Sequence, residues 1–230
     1  VRRRVWAIRE KSDQEKIQSM IANQSVLIAD GHHRYETSVA FRDFDKTEKS
    51  KYVQVYLTNL ESPGFSIQPI HRLFSLPENL SEDEFLKKLE QRFNVATANE
   101  INAVILEEKR KASVSFFVQT KEGNKVYLVS RPKKDTEDAE IFSIQKEIFE
   151  AILGWDVSRT SYGVLKYEHE LSEFQKTLAK LPRGVGIFLP PTDLDLVMKR
   201  ALRGERMPQK STYFYPKIAS GLVNYELGSL

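Results

Sequence analysis

Four apolar residues in a row, Val26-Leu27-Ile28-Ala29, run straight into Asp30-Gly31, and beyond the glycine Tyr35, Val39, Ala40 and Phe41 recur at helical spacing. The first four read as a strand buried on both faces, and the second set as the apolar stripe of a helix. A strand that stops at Asp-Gly and feeds a helix turns the helix's first N–H groups, and its positive dipole end, into one crevice. Such a crevice suits an anion. His32, His33 and Arg34 follow at once, and the planar fork of a guanidinium matches phosphate or carboxylate oxygens two at a time. The competing reading is structural: the histidines as hydrogen-bonded packing residues, and Arg34 paired with Glu36 or Asp43. Asp, Gly, His, His and Arg in five consecutive positions at one turn favour a site over packing.

The elements around this turn suggest an α+β chain of mixed α/β layers. Val5-Trp6-Ala7-Ile8 reads as a strand behind Arg2-Arg3-Arg4, a basic run that reads as a solvated end. Ser12 and Glu15 carry the spacing of a capping box for a helix with Ile17, Met20 and Ile21 on its buried face. Residues 52–57 and 65–70 read as strands, the second ended by Pro69, with His71 and Arg72 just past it. That pair either joins the first imidazole-guanidinium set or caps a strand edge.

From Ser81 the pattern gives a helix with Phe85, Leu86, Leu89 and Phe93 inside, a helix over 101–111, and a hairpin of 113–118 with 125–129 around Glu122-Gly123-Asn124. Lys109-Arg110-Lys111 and Arg131-Pro132-Lys133-Lys134 read as solvated faces. Further on come a helix over 141–153 stopped by Gly154, a strand over 162–167, a helix over 171–181, a strand over 185–189, and a helix capped by Thr192. This alternation predicts βαβ-like units with parallel strand pairs. The expected division is a binding core over residues 1–78 and an α/β accessory region over 79–230. In the tail, Lys210-Ser211-Thr212 stands beside Tyr213-Phe214-Tyr215. The rings read as a terminal strand closing the core; Lys210 either completes a phosphate site or is exposed.

Composition removes several classes. No Cys is present, so disulfides and thiolate chemistry are out, in keeping with a cytoplasmic setting. Lys and Arg (35) nearly balance Asp and Glu (32), which gives no nucleic-acid footprint. No apolar run is long enough for a membrane span.

The stretch Ala29-Asp30-Gly31-His32-His33-Arg34-Tyr35-Glu36-Thr37 resembles the signature of the bacterial and archaeal domain-of-unknown-function 1015 family. Pro69-Ile70-His71-Arg72-Leu73 and Met207-Pro208-Gln209-Lys210-Ser211-Thr212-Tyr213-Phe214-Tyr215-Pro216-Lys217 match it as well. Members of that family are longer at the N-terminus, so the resemblance implies a C-terminal part whose own N-terminal region is a partner. More distantly, Gly31-His32-His33-Arg34-Tyr35 is similar to the nucleotide-phosphate turn of sulfiredoxin and the ParB partition proteins, a superfamily that includes the free-serine kinase. That likeness implies a ParB/sulfiredoxin-like core, with His33 and Arg34 on phosphate oxygens and Gly31 admitting the backbone. His32 stands where sulfiredoxin has its Cys, which excludes that thiol reaction here.

Three functions follow as expectations. The leading one is a nucleotide-dependent phosphotransferase or nucleotide hydrolase acting with ATP, ADP or CTP and Mg²⁺. In it Asp30 holds the metal or orients the nucleophile, and His32 is acid/base. Gly31, His33, Arg34, His71, Arg72 and Lys210 bind the phosphates, and the likeness to the kinase implies that a catalytic carboxylate lies elsewhere, at Glu10 or in an N-terminal region. The second is a nucleotide-binding switch without chemistry that governs a partner. The third is a metal-dependent hydrolase using Asp30, one of His32 and His33, and His71.

Overall fold

The structure, a computed structural model, describes residues 4–135, 137–156, 164–219 and 221–227. Arg2, Arg3 and the start of the strand expected over 162–167 lie outside them. The chain divides into two compact units, Val1–Val53 with Tyr225–Leu230, and Gln54–Asn224.

The first unit holds α1 (Lys11–Ile21), α2 (His32–Asp45) and a 3-10 turn at Lys49–Lys51. The capping box expected at Ser12 does not form. Asp13 and Gln14 both donate to the Glu10 carbonyl (3.1 Å each), so Glu10 is the N-cap and Ser12 falls inside the first turn. Neither α1 nor α2 buries a residue, and Ile17, Met20 and Ile21 stay partly or largely exposed. The strands expected over 5–8, 26–29 and 52–57 are likewise absent: these segments pair with nothing among the described residues. The physical reason is shared. Short extended segments hold a ladder only where a common apolar layer covers one face, and here neither helix supplies that layer.

The second unit is built on a six-stranded sheet of order β3-β5-β4-β7-β2-β6, from β2 (His71–Ser75), β3 (Asn94–Ala98), β4 (Ser113–Thr120), β5 (Lys125–Pro132), β6 (Lys166–Glu168) and β7 (Gly184–Phe188). A two-stranded ribbon joins β1 (Ser66–Gln68) to β8 (Tyr213–Tyr215), where Phe65 stacks on Phe214 at 5.3 Å. The mixed α/β class holds, but every strand pair is antiparallel, which corrects the parallel pairs expected. β6, helix α6 (Leu171–Lys180) and β7 do form a strand-helix-strand crossover; β2 is inserted between its two strands and runs antiparallel to both. β1 and β2, grouped with the turn in the sequence reading, belong by pairing to the second unit.

Side chains of successive residues leave a strand on opposite faces. Phe74, Phe116 and Ile187 therefore join one core with Phe85 and Leu89 of α3 (Glu82–Glu90), while Leu73, Phe117 and Phe188 join another with Phe174 and Leu178 of α6 and Leu106 of α4 (Ala103–Lys109). The helix expected over 141–153 is a short α5 (Glu140–Ser143) followed by a π-helical stretch, Ile144–Glu150, whose wider turn still buries Ile144, Ile148 and Phe149. Helix α7 (Leu194–Leu202) is capped by Asp193, not Thr192, through its carboxylate and the Asp195 N–H (2.9 Å). No described helix is long and apolar enough to cross a membrane.

Candidate functional site

Gly31 adopts φ 90°, ψ 28°, and is the N-cap of α2. This left-handed conformation is nearly free for glycine and strained for other residues, which is why the chain can turn sharply from the extended 26–29 segment into a helix. The Tyr35 N–H is the first to find an intrahelical acceptor, the Gly31 carbonyl at 2.9 Å. The amides of His32, His33 and Arg34 therefore have no acceptor within the helix. Arg34 folds back over the glycine: a Cβ at position 31 would lie 2.9 Å from its Nη2. The same nitrogen is 3.6 Å from an Asp30 carboxylate oxygen, and His33 Nδ1 is 3.2 Å from Glu36. Asp30, His32, His33 and Arg34 are all exposed. The turn thus gathers one guanidinium, two imidazoles, one carboxylate and a helix N-terminus at an accessible surface.

His71 and Arg72 lie past β1, as expected, but they open a second strand, β2, in the interior of the six-stranded sheet, and both are buried. The Leu189 N–H donates to His71 Nδ1 (3.1 Å), and the ring stacks on Phe188 at 3.8 Å. Burial, with the Arg72 charge and His169 nearby, pushes this imidazole down to about 3, so it is neutral at physiological pH. Arg72 donates to the carbonyls of Ile70, Gln209 (3.4 Å) and Lys210 (2.8 Å) and lies 5.6 Å from the Tyr167 ring. Burial lowers its pKa to about 10, which leaves it charged. These bonds fasten the tail to β2, and Lys210, with φ 56°, turns its side chain outward.

Among the described residues no three His, Cys, Asp or Glu side chains gather as a metal site would need. The metal-hydrolase expectation therefore has no ligand set. Asp30 alone suits Mg²⁺ only where phosphate oxygens fill other positions. The pattern also passes over Glu140, which is largely buried and pushed up by that burial; nothing in its sequence neighbourhood marks it, since the signal is tertiary.

The sequence pattern of the family described as "Protein of unknown function (DUF1015)" matches residues 1–153. The chain belongs to the DUF1015 family. This DUF1015 protein matches no curated protein. Among solved structures it is similar to a free serine kinase in complex with AMP (15% identity, 90% of this chain and 81% of that one, TM-score 0.48). A mutant of the kinase, also with AMP, gives 16% identity over the same shares and a TM-score of 0.49. A conserved hypothetical protein from Pyrococcus furiosus gives 15%, 87% and 81%, and 0.48.

Proposed function

We propose that the protein binds the phosphate of a nucleotide or a phosphorylated small molecule at the turn of residues 30–34. The observation that carries this reading is Arg34 folded over the left-handed Gly31 at the start of α2, which points a guanidinium and a helix N-terminus at the same place. His33, one residue into the helix, adds a second donor to phosphate. Asp30 would hold Mg²⁺ against the phosphate oxygens, and the ion would supply charge neutralisation there. The likeness of Gly31-His32-His33-Arg34-Tyr35 to nucleotide-phosphate turns supports a nucleoside di- or triphosphate as ligand. In that reading His32, the first residue of α2, would move a proton at the bound nucleotide in a phosphotransferase or hydrolase reaction, and a chain without Cys suits the cytoplasm.

Thermal unfolding with a panel of nucleoside di- and triphosphates, with and without Mg²⁺, tests this. A ligand well above its dissociation constant stabilises by about 2–4 kcal/mol. The shift is expected with one nucleotide and is lost in His33→Ala and Arg34→Ala. No shift with any nucleotide, or one that survives both substitutions, would overturn the assignment.

A second reading is binding without turnover, coupled to association with a partner. It is favoured by the apolar side chains the first unit leaves exposed, among them Trp6 at 75%, Met20 at 72% and Phe44 at 86%. Binding with no phosphate release, together with a ligand-dependent change in mass, would select it.

A further inference from the structure

The second unit encloses a cavity of about 200 Å³ beneath the start of α7, lined only by residues of that unit. Arg72 stands at its buried end, and Lys199 at its exposed end. The charges around it do not balance. Arg72 is 3% exposed, and its hydrogen bonds go to main-chain carbonyls; among the described residues no carboxylate lies within 4.0 Å of it. A buried guanidinium with neutral partners alone carries a large desolvation cost, which a counter-charge would offset.

The other groups facing the cavity divide clearly. Arg110 is already matched, by Asp193 at 3.3 Å and Glu107 at 3.2 Å. Lys133 and Lys199 have no ion pair among the described residues. Against these stand Glu140, which accepts the Ser115 N–H (3.2 Å), and Asp195 in the first turn of α7. Arg72, Lys133 and Lys199 thus outnumber Glu140, which has Lys133 in its field and is raised in pKa by burial, and Asp195; Lys199 also lies in the field of Glu137. The nearby hydroxyls do not donate inward: Thr192 Oγ1 donates to the Ser211 carbonyl (2.6 Å), and Ser211 Oγ donates to the Pro208 carbonyl (2.5 Å). Arg72 donates to the Lys210 carbonyl (2.8 Å), and Lys210 lies in the left-handed region at φ 56°.

We propose that this cavity is an oxyanion site, in which Arg72 at the buried end and Lys133 and Lys199 nearer the mouth bind the phosphate or carboxylate group of a small molecule. Guanidinium and ammonium groups around a small polar cavity bind such groups through charge-assisted hydrogen bonds. The hydroxyls of Thr192 and Ser211 accept, so they suit a ligand that also carries a donor. The site is independent of the turn at residues 30–34, since no residue of that turn lines it.

Calorimetric titration of the Arg34→Ala chain tests it at fixed ionic strength, with inorganic phosphate in one arm and acetate in the other. Because Arg34 is removed, a phosphate site at the turn does not contribute, and either proposal can fail alone. Arg72 also fastens the tail, so the lysines carry the test. Saturable binding of phosphate or acetate is expected, at least tenfold weaker in Lys133→Gln/Lys199→Gln with unchanged thermal stability; the tighter arm names the group. Binding of neither anion, or binding indifferent to the double substitution, would overturn the proposal.

Discussion

At Gly31, the backbone conformation and the position of Arg34 both depend on one missing methyl. A Cβ there would meet both a strained φ of 90° and the Arg34 guanidinium at 2.9 Å. Gly31→Ala should therefore destabilise α2 by about 1 kcal/mol and displace Arg34, read as a lower denaturant midpoint together with a lost nucleotide-induced shift. His71 makes a separate prediction. Its folded pKa, about 3, lies below the unfolded value of 6.5, so the unfolded chain binds the extra proton between them. The stability this contributes is full above pH 6.5 and falls as pH drops toward 3, by about 1.4 kcal/mol per unit where the difference is complete. His71→Gln, which keeps an acceptor for Leu189 but does not titrate, should show a shallower fall between pH 6 and 4 in urea denaturation; parallel curves would refute this. The turn into α2 was legible because a glycine and four polar residues stand consecutively at positions 30–34. The burial of His71 and Arg72 was not, since Pro69 looks like the end of a strand and is in fact a break between two.

Among the elements, two serines with the same local spacing behave differently. Ser81 and Glu84 form a complete capping box on α3, and the Ser81 N–H and hydroxyl hold the Glu84 carboxyl below its usual range. Ser12, with Glu15 three positions on, caps nothing. Ser81→Ala should cost about 1 kcal/mol, and Ser12→Ala less than about 0.5, in paired denaturation curves. Both have the pattern, but only α3 buries an apolar face, through Phe85 and Leu89, that fixes where the helix starts. The same distinction explains how well the fold could be read. The 113–132 hairpin, α6 and β7 carry periodicity that ends in a packed layer, and the sequence reading finds them. Residues 5–8, 26–29 and 52–57 have the apolar composition of strands, but the described structure gives them no partner. β3 escapes notice because Asn94, Ala96 and Thr97 of an edge strand are exposed and polar or small. Parallel pairing fails for a topological reason, the insertion of β2, which no local pattern encodes.

For the whole molecule, protection from hydrogen exchange should follow the two units. Amides of residues 26–29 and 52–57, without ladder partners, should exchange near the unprotected rate, whereas those of Phe116, Phe117 and Val118 in β4 and of Val185 and Ile187 in β7, held on both sides, should be slowest. Mass-spectrometric exchange would show the change near residue 54; equal protection on both sides of it would contradict the division. The place of β2 also bears on how the chain is made. Its partners are β6 and β7, and the bond from Leu189 to His71 joins residues 118 positions apart. At a ribosomal rate of roughly 5–20 residues per second, β2 is made roughly 5–19 s before β6, the first strand that lies against it, exists. For that interval a strand that carries Leu73 and Phe74 has both edges bare, and the nascent chain depends on fast elongation, cool growth or a chaperone to keep it from pairing with a neighbour on the same polysome.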